Sequence, residues 1–201
     1  MAEARKQRVG TKSERTKERI LQAALELFSE QGFTATSVRD IAARADMTHA
    51  GLLHHFANKD DLLVQILAYR EKQDEESARR FAGFGIDRLF AWTMEIIDTN
   101  VQHEDRIALY VRLSAEATDP QHPASAYFTR RYERLIAALE TAFTEHFAVS
   151  PPAHAISALE AAQGLVGLLD GLQVQWLILP GSIDMPRIAR AYLRSLGVIV
   201  P

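Results

Sequence analysis

His49, His54 and His55 fall close together in the chain and first raise the question of a metal. Their spacing lets at most two share a helix face, no second cluster of ligands supports them, and the chain has no cysteine, so no zinc site is expected. Catalytic signatures are missing too. The sequence has no nucleophile elbow, phosphate loop or HExxH, and the lone Gly83-Phe84-Gly85 lacks the rest of a dinucleotide fingerprint. Isolated carboxylates can still meet in space, so an enzyme stays as a rival without a motif. No cofactor is expected. Thr36, Ser37, Thr48 and Lys59 stand at helix starts, where free amide hydrogens and the helix dipole favour phosphate.

Charge points the same way. The net charge of −3 divides into 10 Lys/Arg against 7 Asp/Glu in residues 1–59, and 13 against 19 in residues 60–201. A basic end on an acidic body fits a polyanion-binding head, and it fits a solvated tail equally well. Arg5, Lys6, Arg8, Lys12 and Arg15 form a basic arm over residues 1–14 and just beyond. Such an arm enters a minor groove, follows phosphates or stays in solvent. The N-terminus has no apolar segment for a signal peptide. The longest apolar stretch, Ala155 to Leu179, carries Glu160, Gln163, Asp170, Gln173 and Gln175, which argues against a membrane span and for a cytoplasmic protein.

The elements that must position these groups are helical throughout. Apolar residues recur at helical spacing and no alternating strand pattern appears, so the expected class is all-α with about nine helices. Ile20, Ala23, Ala24, Leu27 and Phe28 form one face of the first helix, which Gly32 should end as a left-handed cap. Ser37 with Asp40 has capping-box spacing, ahead of Val38, Ile41, Ala42 and Ala45. After a turn at Asp46-Met47, Thr48 should cap a short helix reaching about His54, with Met47, Leu52 and Phe56 as anchors. Asn58 should cap the fourth helix, with Asp60 and Asp61 in its first turn. Five more helices are expected over Ile86–Gln102, Glu104–Ala117, Pro123–Phe147, Pro152–Leu179 and Met185–Leu196.

Two short helices joined by about three residues and packed on a longer one make a helix-turn-helix, here over residues 37–55. Such a unit lays its second helix in the DNA major groove. Ala50 and Gly51 are small enough for close backbone approach, and His49 is long enough to reach a base or phosphate.

From Arg19 to Leu63 the order of residues resembles the DNA-binding domain of the tetracycline-repressor (TetR) family. The likeness runs through Ile20-Leu21-Gln22-Ala23-Ala24, Leu27-Phe28, Gly32 to Val38, Asp40-Ile41-Ala42, and Leu52 through Phe56 with Lys59. Leu168-Leu169-Asp170-Gly171-Leu172 and Trp176-Leu177 are similar to the dimerisation end of many members. The resemblance implies a homodimer, a pseudo-palindromic operator and repression relieved by a small molecule. By motif position it implies phosphate contacts at Thr36, Ser37, Thr48, His54 and Lys59, and base reading at His49, Ala50 and Gly51. Two residues depart from the pattern. Asp46 stands where Gly is common, and Leu53 replaces a common Tyr.

The expected organisation is a DNA-binding domain over 1–59 and a ligand-binding and dimerisation domain over 60–201. The Pro152–Leu179 helix is apolar on more than one side, with Gly164, Gly167 and Gly171 aligned on a face expected to meet a second subunit. Among the body's many aromatics, Trp92, Tyr110 and Trp176 with Thr93, Asn100, Ser114 and Glu116 are the expected lining of an effector pocket for an apolar or aromatic ligand. An architectural DNA binder that senses nothing has the same charge split, but leaves an aromatic-rich body without a purpose.

Overall fold

The computed structural model describes residues 12–81 and 85–199; side chains are described through residue 72 and again from residue 89. Arg5, Lys6, Arg8 and the Gly83-Phe84-Gly85 segment lie outside the fully described residues. Among the described residues the chain is all helix: α1 Lys12–Ala35, α2 Val38–Arg44, α3 His49–Leu53, α4 Lys59–Phe81, α5 Gly85–Asn100, α6 Glu104–Glu116, α7 Ser125–Val149, α8 Ala158–Ile178 and α9 Met185–Ser195. None is long and apolar enough to cross a membrane. The first helix reaches back to Lys12, so Lys12 and Arg15 sit on its exposed first turn and not on a separate arm.

The apolar stripe of α1 packs as its spacing requires, with Ile20, Ala24 and Phe28 fully buried. Burying one such large side chain is worth about 1.5–3 kcal/mol. Gly32 breaks the helix at φ 85°, a conformation that only glycine adopts readily, and Phe33 folds back to lie 5.4 Å from Phe28. Thr36 then hands the chain to α2.

One core contains Ile20, Phe28, Ile41, Leu52, Phe56, Leu62 and Leu63 of the head together with Leu109, Leu113, Tyr127 and Phe128 of α6 and α7. A line drawn after residue 59 therefore crosses a continuous core. The second core joins α5, α7, α8 and α9 through Phe90, Met94, Phe143, Leu165, Ala189 and Leu193.

Several helix boundaries differ from expectation. The α8 helix begins at Ala158 and not at Pro152, because Ser157 and Glu160 form a capping box that nucleates it there. The seventh runs from Ser125 to Val149, shifted by two residues at each end. The three glycines of α8 also separate. A Cβ on Gly164 would lie 2.3 Å from the Tyr192 hydroxyl of α9, so Gly164 serves a contact within the chain. At Gly167 and Gly171 a Cβ would meet nothing within 4 Å. These two share the outward face of α8 with exposed Val174 and Ile178.

Candidate nucleic-acid interface

The end of the head formed by α2 and α3 is built from local polar bonds. Ser37 Oγ accepts from the Asp40 amide at 3.2 Å, while the Ser37 amide and hydroxyl donate to Asp40 Oδ2 at 3.0 and 2.6 Å. These bonds favour the charged form and hold the Asp40 carboxyl below its ordinary range. The turn passes through Asp46 at φ 50°, the left-handed conformation in which Asp is tolerated where glycine is common. Thr48 then caps α3, its Oγ1 accepting from the Gly51 amide at 3.0 Å.

This geometry fixes which way α3 faces. Leu52 and Phe56 are buried, while His49, Ala50, Leu53 and His54 are exposed on the helix surface away from α1. Gly51 is partly covered: a Cβ there would sit 3.1 Å from Thr48 Oγ1 and 3.3 Å from Met47 Cε. Its small size thus serves the turn behind it as well as any approach in front. Across the unit, Arg44 clamps α2 to α1, with Nη1 and Nη2 donating to the two carboxylate oxygens of Glu30 at 2.9 and 2.8 Å and Nη1 reaching Glu26 at 3.3 Å.

Two expected phosphate contacts face inward. Thr36 is buried, and its hydroxyl donates to the Gly32 carbonyl at 2.7 Å, so it closes the α1–α2 turn. Lys59 is half-buried, and Nζ donates to the carbonyls of Phe33 and Thr36 at 2.8 Å each while lying 4.2 Å from the Phe33 ring centroid. Burial lowers its pKa, and the charges of Asp60 and Glu116 act against that shift. Both residues position the helix-turn-helix; their neighbours Ser37 and Thr48 remain at the surface.

The expected effector residues are not gathered into one pocket. Glu116 belongs to the head–body junction: Oε2 accepts from the Thr34 amide at 3.0 Å and the Thr34 hydroxyl at 3.1 Å, with His122 Nε2 3.3 Å away. It fits there because Gly32 has no side chain; a Cβ would lie 2.2 Å from Glu116 Oε1. Beside it, Arg112 Nε donates to the Ser29 carbonyl at 2.8 Å. Thr93 is buried and turned to the Leu89 carbonyl of its own helix, and Asn100 accepts from Arg106 at 3.4 Å. Trp92 is half-buried on α5 and Trp176 packs against the second core. Tyr110 faces Tyr127, hydroxyl to hydroxyl, at 3.2 Å. An open cleft of about 530 Å³ between α5 and α9, lined by Met94, Glu95, Asp98, Thr99, His103 and Arg190, contains none of the seven expected residues.

Sequence reasoning missed a polar cluster in the body. Tyr132 of α7 donates to Asp170 Oδ2 of α8 at 2.9 Å, and the Arg131 guanidinium lies 4.7 Å from the Tyr110 ring centroid. The available signal was an aspartate inside the apolar run Leu168 to Leu172. Among the described residues no group of three or more His, Asp or Glu is arranged to hold a metal.

Known proteins match this arrangement over both its parts. Residues 20–66 match the model of the tetR family of bacterial regulatory proteins. The HTH-type transcriptional regulator AcrR of Shigella flexneri is 28% identical over 92% of this chain and 88% of its own length. The HTH-type transcriptional repressor KstR2 of Rhodococcus jostii is 32% identical over 118 residues, which cover 59% of this chain and 50% of that protein. The chain thus spans about half the length of that relative. Salmonella enterica GusR has the same fold, with a TM-score of 0.64 and 25% identity over 93% of this chain and 98% of its own. A capped α3 exposed beside a buried α1–α2 frame, joined to these likenesses, gives the conclusion: residues 20–66 are a DNA-binding domain of the tetR family of bacterial regulatory proteins, and the chain is a DNA-binding transcriptional regulator.

Proposed function

We propose that the chain is a cytoplasmic, ligand-relieved repressor without catalytic activity, which binds a pseudo-palindromic operator as a homodimer. Repression is carried over from relatives such as KstR2, which is named a repressor. Residues 1–59 are the DNA-binding part and 60–201 the sensing and pairing part, although they share a core.

The observation that carries the reading is the exposed start of α3. His49 and Ala50 follow the Thr48 cap and lie open to solvent, where the first residues of a recognition helix meet base edges. Ser37, Thr48 and His54 flank them as phosphate contacts, and Gly51 allows close approach. The outward face of α8, with Gly167, Gly171, Val174 and Ile178, supports pairing of two copies about a two-fold axis. Such a dimer must set its two recognition helices about 34–36 Å apart to reach successive major grooves. An effector acts by favouring a different separation, and it need not touch DNA.

Selection of duplexes from a random pool tests this. The chosen sequences are expected to contain two inverted half-sites about one helical turn apart. Replacing His49 with Ala should then weaken binding by about 1–3 kcal/mol, confined to one base pair in each half-site. A uniform loss over all operator variants would assign His49 to phosphate, and no enrichment of any sequence would remove specific DNA recognition altogether.

A further inference from the structure

Asp170 is a carboxylate on a helix whose neighbouring residues, Leu168, Leu169 and Leu172, pack into the second core. It is half-buried, and burial pushes its carboxyl above the ordinary range while the Tyr132 hydroxyl and the Arg131 charge pull it back. The same burial, with the Asp170 charge, pushes the Tyr132 hydroxyl up to about 12. Around this pair stands an aromatic frame from α6 and α7. Phe128 meets Tyr110 and Tyr127 edge-on at centroid distances of 6.1 and 5.2 Å, and Arg131 covers a face of Tyr110. Apolar residues in place of a buried ionic group are often neutral or stabilising, so such a cluster is weak evidence for a stabilising role. A carboxylate beside aromatic rings, one of which already carries a guanidinium on its face, is suited to holding a cation.

The sign of the ligand follows from which group can move. Asp170 has a short side chain fixed to α8, whereas Arg131 has a long flexible stem and is itself half-buried. Swinging Arg131 outward uncovers the Tyr110 face and leaves the Asp170 charge without that cation nearby. Both then attract a positive group. An anion on Arg131 would instead have to sit close to Asp170, against like-charge repulsion.

Position gives the cluster its leverage. Tyr132 packs against both cores, and Tyr110, Tyr127 and Phe128 belong to the one that carries the head. Asp170 lies on the helix proposed to pair the two copies. We propose that this cluster is the effector site, and that it takes an organic cation of the aryl-ammonium class, which displaces the Arg131 guanidinium from Tyr110, pairs with Asp170 and shifts the head-bearing core relative to α8. This inference rests on the reading of the chain as a ligand-relieved repressor.

Calorimetry on the full chain with three probes of one size tests it: benzyltrimethylammonium, benzoate and benzyl alcohol. The ammonium probe should bind saturably, at least about tenfold more tightly than the neutral or anionic probe, as expected for a desolvated cation–π and ion-pair site. Asp170→Asn should remove that preference. Arg131→Met, which keeps the apolar stem and takes away the competing cation, should tighten it. Benzoate binding that depends on Arg131, equal binding of all three probes, or no binding of the ammonium to wild type and Arg131→Met would each overturn the proposal. Gel shifts on the selected duplexes, with and without the ammonium, separate the two levels. Specific DNA binding that the ammonium leaves unchanged defeats this effector assignment alone, whereas no specific DNA binding defeats the reading beneath it.

Discussion

The capping side chains at the α2–α3 end of the head find partners three residues away, as Ser37 with Asp40 and Thr48 with Gly51 do. In the body and at its junction with the head they reach much further: Tyr110 to Tyr127 across 17 positions, Tyr132 to Asp170 across 38, and Thr34 to Glu116 across 82. The local bonds set the caps and the turn of the proposed reading surface. The distant bonds record how separate helices sit on one another, and those are the contacts that the proposed effector would alter. A rigid reader and an adjustable mount are thus made of different kinds of interaction.

The largest expected effect breaks the mount at Gly32. Gly32→Ala forces a side chain into a backbone conformation, φ 85° and ψ 173°, that is open essentially to glycine alone, which costs about 1–3 kcal/mol, and pushes Glu116 off Thr34, which costs about 0.5–1.5 kcal/mol more. Urea unfolding should report the sum. Adding Glu116→Ala to that variant should cost little more, since its bonds to Thr34 are already lost and the backbone strain remains. Additive losses in the double variant would mean that the carboxylate and Gly32 do not meet.

Next comes Lys59, where the two regions touch. Lys59→Met retains the stem over Phe33 and deletes the bonds to the Phe33 and Thr36 carbonyls, a loss of about 1.5–3 kcal/mol for a charged donor before discounting for its partial exposure. DNA binding should weaken through a misplaced α2, while the slope of affinity against salt stays that of wild type. A slope shallower by about one phosphate contact would return Lys59 to the DNA surface.

The smallest effects sharpen the contrast through pH. Asp40 has its folded pKa lowered, so its contribution is present above its unfolded value of about 3.9 and is lost as pH falls through the folded one. Asp170 has its folded pKa raised, so the folded state holds the proton more tightly and stability declines as pH rises from the unfolded value through the folded one. Between pH 3 and 7, Asp40→Asn should therefore fall behind wild type as pH rises, and Asp170→Asn should gain on it. Parallel pH curves for the two variants would erase the distinction between local and distant carboxylates.

What the sequence alone determined was everything carried by short spacings. The α1 stripe, the Ser37–Asp40 box, the left-handed Asp46, the Thr48 cap and the Asn58 cap, whose Oδ1 accepts from the Asp61 amide at 2.8 Å, all depend on residues within a few positions of each other. Local dihedral preferences and hydrogen bonds are written at that range, and they were enough for the all-α class and the helix-turn-helix. Only tertiary structure decided the rest. Thr36 and Lys59 have the residue types of phosphate contacts, but the packing of α1, α2 and α4 turns them inward. Glu116 looked like a pocket residue among aromatics until α6 was laid across Gly32. Asp170 read as an interruption in an apolar helix until Tyr132 was brought opposite it. Spacing along a chain cannot express which face of one helix meets which face of another, because that choice is made by the shared burial of side chains far apart in sequence.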